Sequence, residues 1–519
     1  MRVVVYVFGK RWYDKLDIVG ILRRERPALQ MPGEEENGMK RYFKAVVSGL
    51  CAAALALGCV GCGGSAGQTA KPAQVTDITV WTYYNGDQLE SFTRLVDKFN
   101  ETVGAEKGIR VSTESQGSVN DLEDSVMDAA EGKVGAEALP NIFSAYSDTA
   151  YTLDQMGMVV DLAPYLTDDE KAQFIDGYLS EGDFDDSGSV KIFPVAKSTE
   201  VMLFNDTDWQ DFAAATGASY DDLSTIEGLV ATAGRYYDWT DAQTAAPDDG
   251  KALFGRDAMA NYMLVGAQQL GDTIFTVQDG KMTVNFPRDV ARKLWDNYYV
   301  PFVKGWFAAT GRFRSDDVKT GNVLGYVGSC SSATFFPTQV TTDDNVSHEI
   351  RMKVLPTPQF ADGEAVAVQQ GAGMVVTAGK EEEIKASVEF LKWFIQPENN
   401  IAFSVGSGYL PVTKEANNMD KILASGTELD GNMEEILAGA VNEVNANRLY
   451  TPHAFAGGSG ARKVLEYGLS DLAAADRDTV TQRIAGGQSA ADAEAEFLTD
   501  DYFEAWYQDI CAQLAQYEG

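Results

Sequence analysis

Side chains that commonly carry out catalysis or bind metals are scarce in this sequence, apart from carboxylates. Only two histidines occur, His348 and His453, so a multi-histidine metal centre or a histidine proton relay has little material. The 77 Asp and Glu residues always offer some pair for glycoside hydrolysis, but no sequence signature singles one out. The chain has no His-Glu-x-x-His motif and no P-loop. We therefore predict a protein that is not an enzyme and that uses no metal and no other cofactor.

One segment resembles the first half of a calcium-binding loop. Asp183, Asp185 and Ser187 alternate before Gly188, as the first ligands of such a loop do. Its twelfth position is Pro194, where a bidentate Glu is required. We interpret the segment as a hairpin turn.

Charge and length exclude further classes of protein. The 519 residues carry 42 Lys and Arg against 77 Asp and Glu, a formal charge of −35 that repels polyanions at long range. We therefore expect no nucleic-acid partner. A composition that is 45% hydrophobic supports two or three units, each with its own core.

Residues 39–61 have the order expected of an export signal. Three basic residues precede an apolar stretch that runs into Cys59 and Cys62, and this stretch is shorter than the roughly 20 residues of a membrane-spanning helix. Small residues before a cysteine and a Gly-Ser tether after it are similar to a bacterial lipoprotein signal. This similarity predicts a lipid on Cys62, or on Cys59, followed by a flexible tether over 62–75. An ordinary cleaved signal without lipid is the alternative.

Residues 1–38 do not fit this plan, because a signal peptide begins at the terminus of the chain. We interpret them as a mis-assigned upstream extension, with Met39 as the true start. Beyond the signal only Cys330 and Cys511 remain, and their spacing allows either two free thiols or one long-range bridge.

The chain after Asp77 alternates strand and helix patterns. A β-type run at 78–81 precedes apolar residues at helical spacing over 89–99, and the strand at 109–111, the helix at 122–130 and the strand at 141–143 follow. This β-α-β-α-β order predicts an α/β fold with a mainly parallel sheet flanked by helices. Further along, the patterns predict these elements: hairpins at 185–193 and 279–286, strands at 199–204, 323–327 and 371–377, and helices at 221–239, 257–270 and 381–395.

Five segments in this order resemble family 1 extracellular solute-binding proteins of ABC importers, the group of the maltose-binding and glycerol-3-phosphate-binding proteins. They are 78–81, 192–194 with 197–205, 328–332, 371–377 with its helix to Trp393, and 406–412. The resemblance implies a two-lobed periplasmic-binding-protein-like fold of type II, with hinge strands between the lobes and solute in the cleft.

The resemblance also implies boundaries. The N-terminal lobe is expected over 76–199 and 325–373, and the C-terminal lobe over 200–324 and 374–519, with extra helices at the C-terminal end. Crossings between the lobes are expected near 198–202, 321–325 and 370–375.

Carried over position by position, the resemblance implies a set of ligand-binding residues. Sugars offer hydroxyls to polar side chains and a C–H face to aromatic rings, so a mixture of both is expected. The set is Trp81, Tyr83, Tyr84, Ser144, Tyr146, Ser198, Thr199, Glu200, Trp306, Ser329, Ser331, Gly371, Gly373 and Tyr409. The alternative for each residue is a structural role without a ligand, either in packing or in hydrogen bonds to the backbone.

The expected function is capture of a mono- or oligosaccharide and its delivery to the transmembrane subunits of an ABC permease. A glycerol-3-phosphate or glycerophosphodiester solute is the alternative within the family, with Lys197, Arg448 and Arg462 as the available basic residues. An exported glycoside hydrolase is the alternative of another class. We expect a monomer, attached by its lipid alone to the outer face of the bacterial cytoplasmic membrane.

Overall fold

The computed structural model describes residues 75–185, 187–278, 280–342, 345–427, 429 and 431–519. The upstream extension, the export signal and the candidate lipidation sites Cys59 and Cys62 lie outside the described residues. Within the part of the chain that is described, no helix has the length and apolar character needed to cross a membrane.

The described residues form helices and strands that alternate over most of the chain. The strands are β1 (Thr76–Thr82), β2 (Ile109–Ser115), β3 (Ile142–Ala145), β4 (Glu200–Asn205), β5 (Phe254–Arg256), β6 (Phe275–Gln278), β7 (Lys281–Val284), β8 (Gly325–Ser329), β9 (Gln339–Thr341), β10 (Ser347–Glu349), β11 (Met352–Leu355), β12 (Val366–Val368), β13 (Gly373–Val376) and β14 (Arg448–Tyr450). The helices are α1 (Gly86–Glu101), α2 (Val103–Lys107), α3 (Val119–Ala130), α4 (Ser147–Gln155), α5 (Asp168–Ala172), α6 (Asp206–Thr216), α7 (Ile226–Asp241), α8 (Met259–Gln269), α9 (Arg288–Val303), α10 (Arg314–Lys319), α11 (Glu381–Phe394), α12 (Pro397–Ser407), α13 (Met419–Ala424), α14 (Gly431–Ala446), α15 (Gly458–Ala485), α16 (Ala490–Glu494) and α17 (Asp500–Leu514).

The first lobe is built on a four-stranded sheet in the order β13-β3-β1-β2. β1 runs parallel to both β2 and β3, and β13 runs antiparallel to β3. The apolar stripe of α1 and the apolar face of α11 pack together on this sheet, where Phe99 contacts Phe390 and Trp393 at ring distances of 5.2 Å. The predicted β-α-β-α-β order over β1 to β3 is confirmed.

The second lobe contains a sheet in the order β11-β4-β8-β5. β4 runs antiparallel to both β8 and β11, and β5 runs parallel to β8. The short distance from Gly325 to the ring of Phe204 shows how closely β4 and β8 approach, since an added Cβ would lie 2.1 Å from that ring. The mixed α/β fold in two lobes agrees with the predicted class.

The chain passes between the lobes at three places. The first lies at 197–200, where Ser198 exchanges backbone hydrogen bonds of 2.8 and 2.9 Å with Gln370 on the second crossing. The third lies near Leu410, which pairs with Lys197. The expected crossing at 321–325 is wrong, because Val323 and Leu324 are buried in the core of the second lobe.

Strand pairing corrects the expected boundaries between the lobes. Of the segment 325–373 assigned to the N-terminal lobe, β8 and β11 belong to the sheet of the second lobe. Of the segment 374–519 assigned to the C-terminal lobe, β13 and the helices α11 and α12 pack in the first lobe. The boundaries that the resemblance implied are therefore wrong for both segments, because the chain crosses back at 369–373 rather than at 321–325.

The long C-terminal segment is an integral part of the second lobe. α15 packs along α8 and α9, and α17 packs against both α15 and α9. Trp295 of α9 lies 3.6 Å from the ring of Tyr299 and 4.9 Å from that of Trp506. The hydroxyls of Tyr299 and Tyr502 both donate to Asp476. These buried aromatic contacts assign the segment a structural role in the fold.

The two predicted hairpins and the two cysteines beyond the signal have different outcomes. The hairpin predicted at 279–286 is confirmed by the antiparallel pair β6 and β7. The hairpin predicted at 185–193 is wrong: the segment forms a loop in which Asp183 accepts the amide of Gly188 at 2.9 Å. Cys330 and Cys511 are both free thiols, which resolves the alternatives that their spacing left open.

Candidate functional site

Four of the predicted aromatic residues form one cluster beside the crossings. Tyr83 and Tyr84 follow β1, Tyr146 follows β3, and Tyr409 follows α12. The hydroxyls of Tyr83 and Tyr409 are hydrogen-bonded at 3.0 Å, and the ring of Tyr84 lies 5.2 Å from Tyr83 and 6.0 Å from Tyr409. Burial raises the pKa of all four phenols well above the usual value, so they remain neutral hydrogen-bonding groups.

The fold explains why residues so distant in sequence meet. β1 and β3 are parallel neighbours, so the residues after their carboxyl ends emerge at the same edge of the sheet. Gly408 ends α12 with a φ of 71°, a left-handed conformation that favours glycine, and turns Tyr409 back toward that edge. The ring of Tyr409 stacks on Phe403 of α12 at 6.0 Å.

Serines from both lobes join this cluster. Ser144 of the first lobe contacts Met374 through its hydroxyl at 3.5 Å and also hydrogen-bonds to Tyr84. In the second lobe, the hydroxyls of Ser329 and Ser331 are 2.9 Å apart, and Ser331 also hydrogen-bonds to Tyr409. Hydroxyl groups from the two lobes therefore face one another across the cleft.

The residues at the first crossing mainly form hydrogen bonds with backbone groups of the neighbouring crossing. Thr199 donates its hydroxyl to the carbonyl of Val368 at 2.9 Å, and Ser198 pairs with Gln370. Lys197 is fully buried, forms an ion pair with Glu181 and donates to the carbonyl of Gly371 at 2.7 Å. The side chain of Thr199 and the backbone of Ser198 thus have protein partners that hold the crossing strands together.

Two glycines of the predicted set allow close approach of the chain at the crossing. Gly371 has a φ of 90°, and a Cβ there would lie 3.1 Å from the amide nitrogen of Ser198. A Cβ on Gly373 would lie 2.2 Å from the side chain of Ile192. Steric room for packing is sufficient to explain both glycines.

Glu200 already has partners within the second lobe. Its carboxylate forms an ion pair with Arg256 and accepts a hydrogen bond of 2.8 Å from Asn261. Burial raises the pKa of Glu200, and the charge of Arg256 opposes that shift. A cavity of about 20 Å³ next to Thr199 and Glu200 is wide enough for a water molecule but not for a sugar.

The two predicted tryptophans, Trp81 and Trp306, lie in different parts of the structure. Trp81 is buried in β1 as part of the first-lobe core. Trp306 packs 3.2 Å from the position that a Cβ of Gly234 would take, beneath the ammonium group of Lys304. Neither Gly234 nor Lys304 belongs to the predicted ligand-binding set, so Trp306 lies apart from the tyrosine cluster.

Two charged residues near the cleft, Asp148 and Glu123, were not among the predicted site residues, whereas Arg462 was named as a basic candidate. Asp148 at the start of α4 and Glu123 of α3 face Arg462 of α15, which donates to Asn261 at 2.5 Å. Burial raises the pKa of Asp148 to about 6, against the opposing charge of Arg462 and with the help of Glu123 and Glu181. No local motif marks these residues, and only the packing of α15 against the first lobe brings them together.

The other two basic candidates are occupied elsewhere. Lys197 is paired with Glu181, and Arg448 on β14 is half exposed beside Glu364 and Gln268. A separate groove of about 1010 Å³ lies on the second lobe between 305–310 and α15, and it contains none of the predicted site residues.

The family of this two-lobed chain follows from comparison with known proteins. A sequence model described as "Bacterial extracellular solute-binding protein" matches residues 94–428. The chain belongs to this family. Members of the family bind small-molecule solutes and work with ABC permeases as transport proteins rather than as enzymes.

Solved structures of similar fold cover nearly all of the residues that the structure describes for this solute-binding protein. A cyclic alpha-maltosyl-1,6-maltose binding protein from Arthrobacter globiformis aligns with a TM-score of 0.61 and 18% identity, over 85% of this chain and 100% of that one. UgpB from Mycobacterium tuberculosis in complex with glycerophosphocholine aligns at 0.60 and 16%, over 85% and 99%. The GacH receptor of Streptomyces glaucescens, known with acarbose, aligns at 0.59 and 14%, over 84% and 99%. A search of curated protein sequences found no match.

Proposed function

We propose that this protein captures a mono- or oligosaccharide between its lobes and delivers it to the transmembrane subunits of an ABC importer. The observation that carries the proposal is the cluster of Tyr83, Tyr84, Tyr146 and Tyr409 with serine hydroxyls from both lobes. Aromatic rings accept the C–H face of a sugar, and neutral hydroxyls both donate to and accept from its hydroxyl groups. The protein acts as a monomer in this proposal.

Solute access requires movement of the lobes. Tyr83, Tyr84 and Tyr409 are exposed by only 8%, 1% and 4%. A sugar that reaches them must enter while the lobes are apart and be enclosed when they approach. Such enclosure makes the shape of the protein depend on solute, which is what a permease is able to recognise.

The charges around the cleft favour a neutral solute over a phosphorylated one. Glu123 and Asp148 lie beside Arg462, which is hydrogen-bonded to Asn261, and Arg256 is paired with Glu200. A phosphate group would have to overcome the repulsion of these carboxylates. A glycerophosphodiester is the second candidate, because UgpB is known in complex with glycerophosphocholine. The guanidinium group of Arg462, beside Asp148, is of the kind that binds phosphate.

A thermal unfolding screen tests the class of solute. Ligand that binds only the native state stabilises it by about 2.7 kcal/mol at 100 times its Kd. We expect neutral mono- or oligosaccharides to raise the melting temperature of the purified protein, and glycerol-3-phosphate and glycerophosphocholine to leave it unchanged. Stabilisation by a glycerophosphate alone would reverse the ranking of the solutes. Release of reducing sugar from a glycoside would instead identify an exported glycoside hydrolase.

Attachment to the membrane by a lipid is the remaining part of the proposal. The support is the apolar stretch that runs into Cys59 and Cys62 and the Gly-Ser tether that follows. We expect Cys62→Ala to abolish incorporation of a labelled fatty acid and to release the protein from the membrane fraction, with Cys59→Ala as the matched control. The opposite pattern would assign the lipid to Cys59, and labelling of both variants would exclude a single lipidated cysteine.

A further inference from the structure

The two lobes meet at the start of α4, away from the crossings. A Cβ placed on Gly458, the first residue of α15, would lie 2.2 Å from an oxygen of the Asp148 carboxylate and 2.6 Å from its Cγ. The backbone amide of Phe455 also donates to this carboxylate. Asp148 belongs to the first lobe and Gly458 to the second, so the contact joins the lobes directly.

A second contact on α4 reaches the hairpin of the second lobe. The hydroxyl of Tyr151 lies 2.8 Å from the position that a Cβ of Gly280 would take, in the turn between β6 and β7. The ring of Tyr151 packs edge-on against Phe184 at 5.5 Å, and the residue is 9% exposed. One turn of α4 is therefore held between α15 and the β6–β7 turn.

The groups around Asp148 carry opposing charges. Glu123 on α3 and Glu181 in the turn 180–182 face it from the first lobe, and Arg462 faces it from α15. Lys463 of α15 also acts on Glu123, and the phenol of Tyr146 lies near Arg462 and Glu181. Contact between the lobes thus confines Asp148 with Glu123 and Glu181, and the cations beside these three groups are Arg462, Lys463 and Lys197, the last paired with Glu181.

We propose that α4 and the N-terminal end of α15 form a latch that closes the cleft and that takes up a proton as it closes. In the closed arrangement Asp148 is withdrawn from water beside Glu123, so its carboxyl group holds a proton up to a higher pH than it does in the open arrangement. In the open arrangement Asp148 is solvated at the surface and ionises freely. The latch acts whichever solute the cleft accepts, and it therefore does not depend on the proposed saccharide.

The direction of the pH dependence follows from linkage. Burial holds the pKa of Asp148 at about 6 with the lobes in contact, whereas an exposed Asp titrates near 3.9. Between those values the closed arrangement holds a proton that the open one lacks, so falling pH favours closure and rising pH favours opening. From about pH 7 to about pH 5 the ratio of closed to open protein rises about tenfold.

Small-angle X-ray scattering of the full chain without solute tests the latch. We expect the radius of gyration of the wild-type protein to be larger at about pH 7 than at about pH 5. Asp148→Asn mimics the protonated group and is expected to stay compact at both. Gly458→Ala places a methyl group where the carboxylate lies and is expected to be expanded at both. Gly431→Ala, at the first residue of α14 with no atom within 4 Å of the new Cβ, is the matched control and follows the wild type.

Each result bears on a separate part of the latch. Equal pH responses of wild-type protein and Asp148→Asn would overturn the coupling to a proton. A compact Gly458→Ala would overturn the latch itself, because the carboxylate would then be displaced without consequence for the lobes. Because no solute is added, neither failure affects the saccharide proposal, which the thermal screen tests independently.

Discussion

Replacement of Lys197 by Met is expected to lower the free energy of unfolding by about 3–5 kcal/mol, the usual cost of removing one partner from a buried ion pair. The side chains of Lys197 and Glu181 are 0% and 4% exposed. Methionine fills a similar volume but leaves the carboxylate of Glu181 without its cation. It also removes the donor of the 2.7 Å hydrogen bond to the carbonyl of Gly371, which ties the first crossing to the second.

Two further variants separate charge from packing in this experiment. The double variant Lys197→Met with Glu181→Met removes both charges and is expected to recover most of the lost stability, because a well-packed apolar pair often replaces a buried ion pair at little cost. Arg110→Met is the matched surface control, since Arg110 and Asp77 are 68% and 62% exposed, and it leaves stability unchanged. Urea unfolding measures all three. A double variant less stable than Lys197→Met would contradict the unpaired carboxylate of Glu181 as the cause of the lost stability.

Replacement of Tyr409 by Ala is expected to weaken saccharide binding by about 30-fold, or about 2 kcal/mol, as for a buried aromatic contact at the centre of an interface. The substitution removes both a ring surface and the hydroxyl bound to Tyr83. It also opens a cavity beside Phe403 and Tyr84, so stability falls by about 3–5 kcal/mol while the protein still folds.

Conservative and distant variants identify the cause of the lost affinity. Tyr409→Phe keeps the stacking on Phe403 and is expected to retain most of the stability and to lose only the part of the affinity that depends on the hydroxyl. Trp306→Phe, apart from the tyrosine cluster, leaves the affinity unchanged. Calorimetric titration gives the affinities. Wild-type affinity in Tyr409→Ala would remove the tyrosine from the binding site.

Local sequence patterns were sufficient to predict the strands and helices at the start of the first lobe. The β-type run of β1 and the apolar spacing of α1 depend on residues that are neighbours in sequence, and Ile78, Val80, Phe92 and Phe99 are all buried. The ends of β1 and β3, which carry Tyr83 and Ser144, also follow from local pattern and parallel topology. The residues after those strands therefore lie at one edge of the sheet.

Pairings over long sequence distances were not predictable in this way. The resemblance implied a crossing near 321–325, yet Gly321 has a φ of 72° in the turn after α10 and Gly325 makes room for Phe204. Arg462 reaches Asn261 across 201 residues, and Lys197 pairs with Leu410. Such contacts depend on how whole lobes pack, and no short motif encodes them. The charged side of the cleft and the third crossing were missed for this reason.

A crystal structure with the saccharide that stabilises the protein most is the most direct test of the proposed binding function. We expect one sugar between the lobes, with a ring face against Tyr83 or Tyr409 and hydroxyl groups bonded to Ser144 and to Ser329 or Ser331. A sugar bound outside the cleft, for example in the groove between 305–310 and α15, would contradict it.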